Sequence, residues 1–236
     1  MISPELLEAA RLGDRRALAR AISQIESDPE MAGLDRDRSI PVIGITGPPG
    51  VGKSTLVNSL ITQLRESGSD ISVVAVDPSS PITGGALLGD RIRMQQHVDD
   101  AGVFVRSMAS RGHLGGLSIA TRQTVNLLSQ SGFDLVLIET VGVGQSEVEV
   151  MDIADRVILV LAPGWGDQIQ ADKAGIVEIA DIFVINKSDR DGVEPLHRSL
   201  VEIARSGEQE RPIVVTNAIS GEGVSELADL VGVTSA

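Results

Sequence analysis

Nine consecutive residues, Gly47-Pro48-Pro49-Gly50-Val51-Gly52-Lys53-Ser54-Thr55, carry the pattern GxxxxGK[ST]. Glycines let a backbone fold round a phosphate with its N–H groups pointing inward, and a helix opening at Lys53 would add its positive end. Lys53 then reaches the β- and γ-phosphates of a bound nucleotide, and the Ser54 hydroxyl is a ligand for Mg²⁺. The bland alternative is a glycine-rich strand-to-helix turn that binds nothing. The full pattern is too rare in a chain of this composition for that alternative to be preferred.

A second cluster, Asn186-Lys187-Ser188-Asp189, follows the apolar run Ile182–Ile185. Asp189 has the chemistry to accept from the N1–H and the exocyclic amine of guanine together. Adenine offers no such pair and would leave the acceptors unsatisfied. Asn186 is placed to fasten neighbouring loops, and the aliphatic stem of Lys187 to lie over a base plane. Further on, the backbone of Ala218 and Ile219, in Thr216-Asn217-Ala218-Ile219, is a candidate contact for the guanine carbonyl oxygen, with a plain strand-to-helix turn as its alternative.

Three acids end predicted strands or open the loops beyond them: Asp77, Asp90 and Glu139. Mg²⁺ takes one or two carboxylates beside phosphate oxygens and water, so these are candidate metal residues with Ser54. Glu139 followed by Gly142 has the form of a DxxG switch with Glu for Asp, in which the Gly142 N–H senses the γ-phosphate. The residue after that glycine is Val143, where Ras-like proteins have a water-orienting glutamine, so slow intrinsic hydrolysis is expected. Gln145 and Asp77 are the candidates for the water, with Lys53 as the third catalytic candidate. Arg91, Arg93, Arg106 and Arg111 are candidate charge stabilisers.

Elements able to position these residues are legible as short aliphatic runs alternating with helical stretches. Strands are predicted at 42–46, 71–77, 103–107, 134–140, 156–161, 181–186 and 213–216, with helices at 54–66, 117–131, 169–179 and 194–206. Runs such as Val73-Val74-Ala75-Val76 and Leu135-Val136-Leu137-Ile138 are apolar on both faces, as in a parallel sheet covered on both sides. The expected fold is a doubly wound, mostly parallel α/β sheet with ligands at the carboxyl ends of its strands. Before it, residues 3–26 read as two short helices split at Gly13-Asp14, and 27–39 as a linker. The predicted organisation is a helical extension and linker over 1–39 and a nucleotide-binding domain over 40–236.

Composition narrows the function classes. A net charge of −13 argues against DNA or RNA as the main partner. With no cysteine and three scattered histidines, His97, His113 and His197, thiolate metal sites and cysteine nucleophiles are excluded, so any metal is held by oxygen. The longest apolar run, Val157 to Ala162, is far short of the roughly 20 residues of a spanning helix, and the first residues have no signal-peptide pattern, so a cytoplasmic protein is expected. Of twenty basic residues only three are lysine, at 53, 173 and 187. Two of those three fall in the motifs above.

Taken together the motifs resemble the methylmalonyl-CoA mutase-associated GTPases, the MeaB/ArgK family, related to bacterial proteins once named arginine/ornithine transport kinases. The resemblance runs from about Leu6 to Leu230. Its most specific stretches are Gly47–Thr55, Val76-Asp77-Pro78-Ser79-Ser80-Pro81, Gly84–Met94, Ser110–Ser118 and Glu139-Thr140-Val141-Gly142-Val143-Gly144-Gln145-Ser146-Glu147. It implies the branch of P-loop NTPases whose second strand is parallel to its neighbours. It further implies Asp77 near Mg²⁺ and the attacking water, with Ser54, Asp90 and Glu139 at metal-associated positions. The implied activity is GTP hydrolysis coupled to cofactor loading and protection of an adenosylcobalamin-dependent acyl-CoA mutase. Segment 167–175, with Lys173, falls where the family has a partner-sensing switch; a surface helix is its plainer reading. Family chains continue past residues 221–223 into a helical arm that builds a homodimer, whereas this sequence ends at Ala236, which counts against carrying the homodimer over. The competing readings are a small-molecule kinase using the same loop and a nucleotide-dependent scaffold that does not hydrolyse. Nickel-insertion GTPases of the same branch are disfavoured by the missing Cys and His ligands.

Overall fold

A computed structural model of the chain describes residues 2–77, 95–97, 99–109, 119–140, 152–165, 174–205 and 210–232. Two antiparallel helices come first, α1 (Pro4–Arg11) and α2 (Arg15–Ser27). Ser3 caps α1 by accepting from the Leu6 N–H, and Asp14 caps α2 by accepting from Arg16 and Ala17 N–H. The turn between them needs a residue at positive φ and has Gly13 there, so the predicted split is where the helices part.

Seven strands among the described residues form one sheet. They are β1 (Val42–Thr46), β2 (Ile71–Asp77), β3 (Val103–Ala109), β4 (Leu135–Thr140), β5 (Arg156–Leu161), β6 (Ile182–Ile185) and β7 (Ile213–Val215). Their order is β3-β2-β4-β1-β5-β6-β7, and every pairing is parallel. β2 is parallel to both its neighbours, as the resemblance implies. Among the described residues the helices between strands are α3 (Lys53–Glu66), α4 (Ile119–Ser129), α5 (Ala174–Ile179) and α6 (Val193–Ala204), and α7 (Val224–Val231) follows β7.

Alternation along the strands sorts residues to the two faces. Ile43, Ile45, Val73, Leu135, Leu137, Ile158 and Val160 meet α3 and α7 through Leu56, Leu60 and Leu227. Val42, Val74, Val76, Val136 and Ile138 meet α2 and α4 through Leu18, Ile22, Ile25 and Val125. Both faces of the central strands are thereby buried, which is why they read as unbroken aliphatic runs. The stretch after α2 is held at several points: Leu34 N–H donates to the Gln123 side chain, Asn126 donates back to Leu34 O, and Arg36 pairs with Asp155 and donates to Ile153 O.

The end of α3 remote from the glycine-rich loop is fixed by a fork. Arg65 donates through Nε and Nη2 to both oxygens of Asp100, at 3.0 and 2.9 Å, and through Nη1 to Asp70 at 2.7 Å. The Arg65 guanidinium and then the Gly102 N–H hold the Asp100 carboxyl below its ordinary range. A depressed carboxylate gives its full stabilisation above its unfolded pKa of about 4 and loses it as the pH falls through the lower folded value. The melting-temperature difference between wild type and Asp100→Asn will accordingly shrink as the pH is taken from 6 down through 3. A difference independent of pH would contradict the ion pair.

Candidate functional site

β1 lies at the centre of the sheet, between β4 and β5, and the chain leaves it directly into the glycine-rich loop and α3. Two glycines there are sterically required. A Cβ at Gly47, at φ 143°, would lie 2.1 Å from Val160 O, and one at Gly52, at φ 95°, would lie 2.6 Å from Asn186 Nδ2. The loop thus closes against β5 on one side and the Asn186 loop on the other. Lys53 is only 6% exposed. Its Nζ donates to Gly47 O at 2.7 Å and Pro48 O at 2.9 Å, so the ammonium lies within the arch of its own loop.

One turn of chemistry further, Ser54 Oγ donates to Glu139 Oε1 at 2.6 Å, with both residues buried. The register explains the meeting: Glu139 stands opposite Ile45 of β1 on one side and Ala75 of β2 on the other, at the carboxyl edge. A hydroxyl and a carboxylate in contact are hard oxygen donors of the kind Mg²⁺ takes, so the pair fits that ion. Asp77 closes β2 at the same edge, one position beyond the pairing of Val76 with Thr140. Among the described residues no group of three or more His, Cys, Asp or Glu that could hold a metal ion is gathered. Next to Glu139, Thr140 Oγ1 donates to Thr46 Oγ1 at 3.1 Å and ties the ends of β4 and β1 together.

Asn186, 2% exposed, joins three segments. Its Nδ2 donates to Val51 O in the glycine-rich loop at 2.9 Å, and its Oδ1 accepts from Thr216 Oγ1 at 3.2 Å and Ala218 N–H at 3.0 Å. Lys187 follows in the left-handed region, at φ 63°, and its Nζ donates to Gly50 O at 2.5 Å. For a long side chain that conformation is costly and persists only where neighbours hold it. Beside them lies an open recess lined by Gly52, Thr55, Lys187, Asp189, Asn217 and Ile219 among others. Ile219 stands 90% exposed at its rim.

The glycine-rich loop, Ser54, Glu139, Asn186, Lys187, Asp189, Ala218 and Ile219 therefore converge at the carboxyl edge of the central strands. Asp90, Gly142, Gln145 and Lys173 lie outside the described residues, as do Arg91, Arg93 and Arg111. Arg106 is engaged elsewhere: its Nη2 pairs with Glu26 of α2 and donates to Ser23, which makes it a tie to the N-terminal helices rather than a free charge at the site.

The sequence profile described as methylmalonyl Co-A mutase-associated GTPase MeaB matches residues 18–234. The chain belongs to the MeaB family. Like the family it is a GTPase, an enzyme acting on GTP. A Pyrococcus horikoshii protein that bears a provisional GTPase name is 49% identical over 237 residues, covering 94% of this chain and 74% of its own. GTPase ArgK of Escherichia coli is 38% identical, over 94% of this chain and 73% of its own. The mouse methylmalonic aciduria type A homolog, mitochondrial, is 39% identical over 92% of this chain and 59% of its own. Among solved structures, that of an LAO/AO transport system kinase superposes with a TM-score of 0.72 at 27% identity, covering 96% of this chain and 72% of that one. HypB from Helicobacter pylori, at a TM-score of 0.62 and 17% identity, shares the fold. Two residues of this MeaB-family site escaped the reading of its motifs. Asn217 and Glu222 shape the loop after β7, where only backbone contacts were expected.

Proposed function

We propose that the chain binds GTP with Mg²⁺ and hydrolyses it to GDP and phosphate while chaperoning an adenosylcobalamin-dependent acyl-CoA mutase of the methylmalonyl-CoA mutase type, coupling turnover to cofactor loading and to protection of the mutase. In this reading residues 40–236 form the GTPase domain, and 1–39 a helical extension and linker. The supporting observation for the nucleotide is the Asn186 node, which holds the phosphate loop and the Asp189 recess in one rigid unit. Support for the partner comes from the match to a family described as mutase-associated and from the mouse relative's name.

Each residue then has a task. Backbone N–H groups of residues 47–55 cradle the phosphates, Lys53 moves from its loop carbonyls to the phosphate oxygens, and Ser54 with Glu139 holds the metal, joined by Asp77 and Asp90. Held there, Mg²⁺ would supply positive charge that offsets the negative charge developing on the phosphate oxygens in hydrolysis. Asp189 reads the base, Lys187 covers it, and Gly142 senses the γ-phosphate. Gln145 or Asp77 orients the water, and Lys173 belongs to the partner-sensing segment.

Titration with GDP and ADP tests the base. Asp189→Asn replaces one acceptor by a donor facing the guanine amine or N1–H, so GDP affinity will fall by about a hundredfold or more while the weak ADP affinity changes little. Equal affinity of the wild type for GDP and ADP would overturn the reading. For the partner, immobilised protein loaded with GDP or a non-hydrolysable GTP analogue will retain a cobalamin-dependent mutase from native extract in a nucleotide-dependent way. Phosphate transferred to a basic amino acid, rather than released, would favour the kinase that the structural neighbour's name suggests.

A further inference from the structure

The loop after β7 is built round one side chain. Asn217 Nδ2 donates to Asp189 Oδ1 at 3.1 Å, while Asn217 Oδ1 accepts from the N–H groups of Ile219 and Ser220 at 3.1 and 3.3 Å. The backbone of the same residue is also spent, its N–H donating to Glu222 O and its carbonyl accepting from Gly221 N–H. These partners fix the amide's orientation. Turned over, it would present oxygen to the Asp189 carboxylate and NH₂ to two donors. With the neighbouring Ser188 N–H donating to Thr216 O, the 186–189 and 216–222 loops are sewn together around the recess.

From this geometry we infer that Asn217 is a specificity-determining positioning residue: it fixes the rotation of the Asp189 carboxylate, and so sets how strongly guanine is preferred to bases lacking its 2-amino group. The inference rests on the reading of Asp189 as the guanine contact. A carboxylate offers about four acceptor directions, and Asn217 occupies one of them. The second oxygen and the remaining lone pair on Oδ1 stay available for N1–H and the amine. Asp189 itself is exposed, and an exposed carboxylate otherwise turns freely about its last torsion. Two parallel hydrogen bonds need a fixed plane, whereas one hydrogen bond does not. Loss of the tether therefore acts most on the ligand that makes two.

The test measures the affinities of GDP, IDP and ADP in Mg²⁺ for the full chain, as wild type, Asn217→Ala, Asn217→Asp and Asp189→Asn, with melting temperatures of the nucleotide-free proteins. Asn217→Asp keeps the acceptor for the Ile219 and Ser220 N–H groups, removes the donor to Asp189 and sets a second carboxylate against it. Both Asn217 variants will bind GDP about tenfold more weakly, the loss of roughly one hydrogen bond to a charged group. IDP, which lacks the 2-amino group, will lose less, and ADP almost nothing, so the GDP-to-IDP ratio contracts. The melting temperature of Asn217→Asp will stay close to wild type. An unchanged ratio in both variants, with selectivity lost in Asp189→Asn, would overturn the role of Asn217 alone. Selectivity surviving Asp189→Asn would instead overturn the reading of the base site. Equal losses for all three nucleotides together with a lowered melting temperature would reduce Asn217 to a turn residue.

Discussion

Asn186→Ala will lower the stability of the nucleotide-free protein by about 2–4 kcal/mol and weaken GDP binding by roughly a hundredfold. The side chain is almost fully buried and takes part in three hydrogen bonds, one to the glycine-rich loop and two to the 216–218 stretch. Each such bond contributes about 1 kcal/mol net, and truncation also leaves Val51 O and Ala218 N–H in the interior without that partner. The binding loss follows because the glycine-rich loop and the recess beside Asp189 are registered to each other through this one amide. Asn186→Asp discriminates further, since it keeps the acceptor for Thr216 and Ala218 but loses the donor to Val51 and buries a charge. It will be at least as destabilising as alanine. Urea unfolding curves and GDP titration of the two variants check both numbers, and a wild-type midpoint in either would show that the loops hold their register without Asn186.

That node was legible in part. A strand followed by Asn-Lys-Ser-Asp announces a fastening residue and a base-reading acid, and the fastening is what the structure has. Hidden from the sequence was the second loop's contribution. Ala218 and Ile219 were expected to offer backbone N–H groups, yet both donate within the protein, to Asn186 and Asn217. An asparagine two residues into a strand-to-helix connection is equally at home in any turn, so its tether to Asp189, 28 positions earlier, carries no local mark. The strands show the same division. β1, β2 and β5 have the bounds predicted for them, 42–46, 71–77 and 156–161, because their largely aliphatic runs are buried on both faces. β3 lies at the sheet edge and extends two residues beyond its predicted end, through Met108 and Ala109, because backbone pairing with β2 carries it past Ser107. Long-range ties are the least legible of all. Arg15 of α2 reaches Val103 O at 2.6 Å and lies over the rings of Phe104 and Phe133, a meeting between segments about ninety to one hundred and twenty residues apart. Nothing in the periodicity of residues 3–26 shows which face of the sheet those helices will cover.

Lys53→Ala will slow single-turnover GTP hydrolysis by about 10²–10³-fold, the usual cost of removing one preorganised stabiliser of developing charge. The ammonium is bonded to Gly47 O and Pro48 O and almost excluded from water, so it lies inside the loop that is to hold the phosphates. Moving to phosphate oxygens exchanges neutral carbonyl partners for charged ones over a short path, with little reorganisation left for the reaction itself. Lys53→Arg will not restore the rate. A planar guanidinium cannot occupy a niche shaped by two carbonyls at 2.7 and 2.9 Å from a single nitrogen, and its fork directs charge differently. Ser54→Ala separates the metal's share: it removes the hydroxyl that meets Glu139 but leaves Lys53 in place. Its defect will be partly relieved by raising Mg²⁺, because a weakened site is filled by mass action. The Lys53→Ala defect will not respond to Mg²⁺. Rates measured with protein in excess over labelled GTP, across a Mg²⁺ series, distinguish the two, and a Lys53→Ala protein that hydrolyses at the wild-type rate would remove Lys53 from the catalytic machinery.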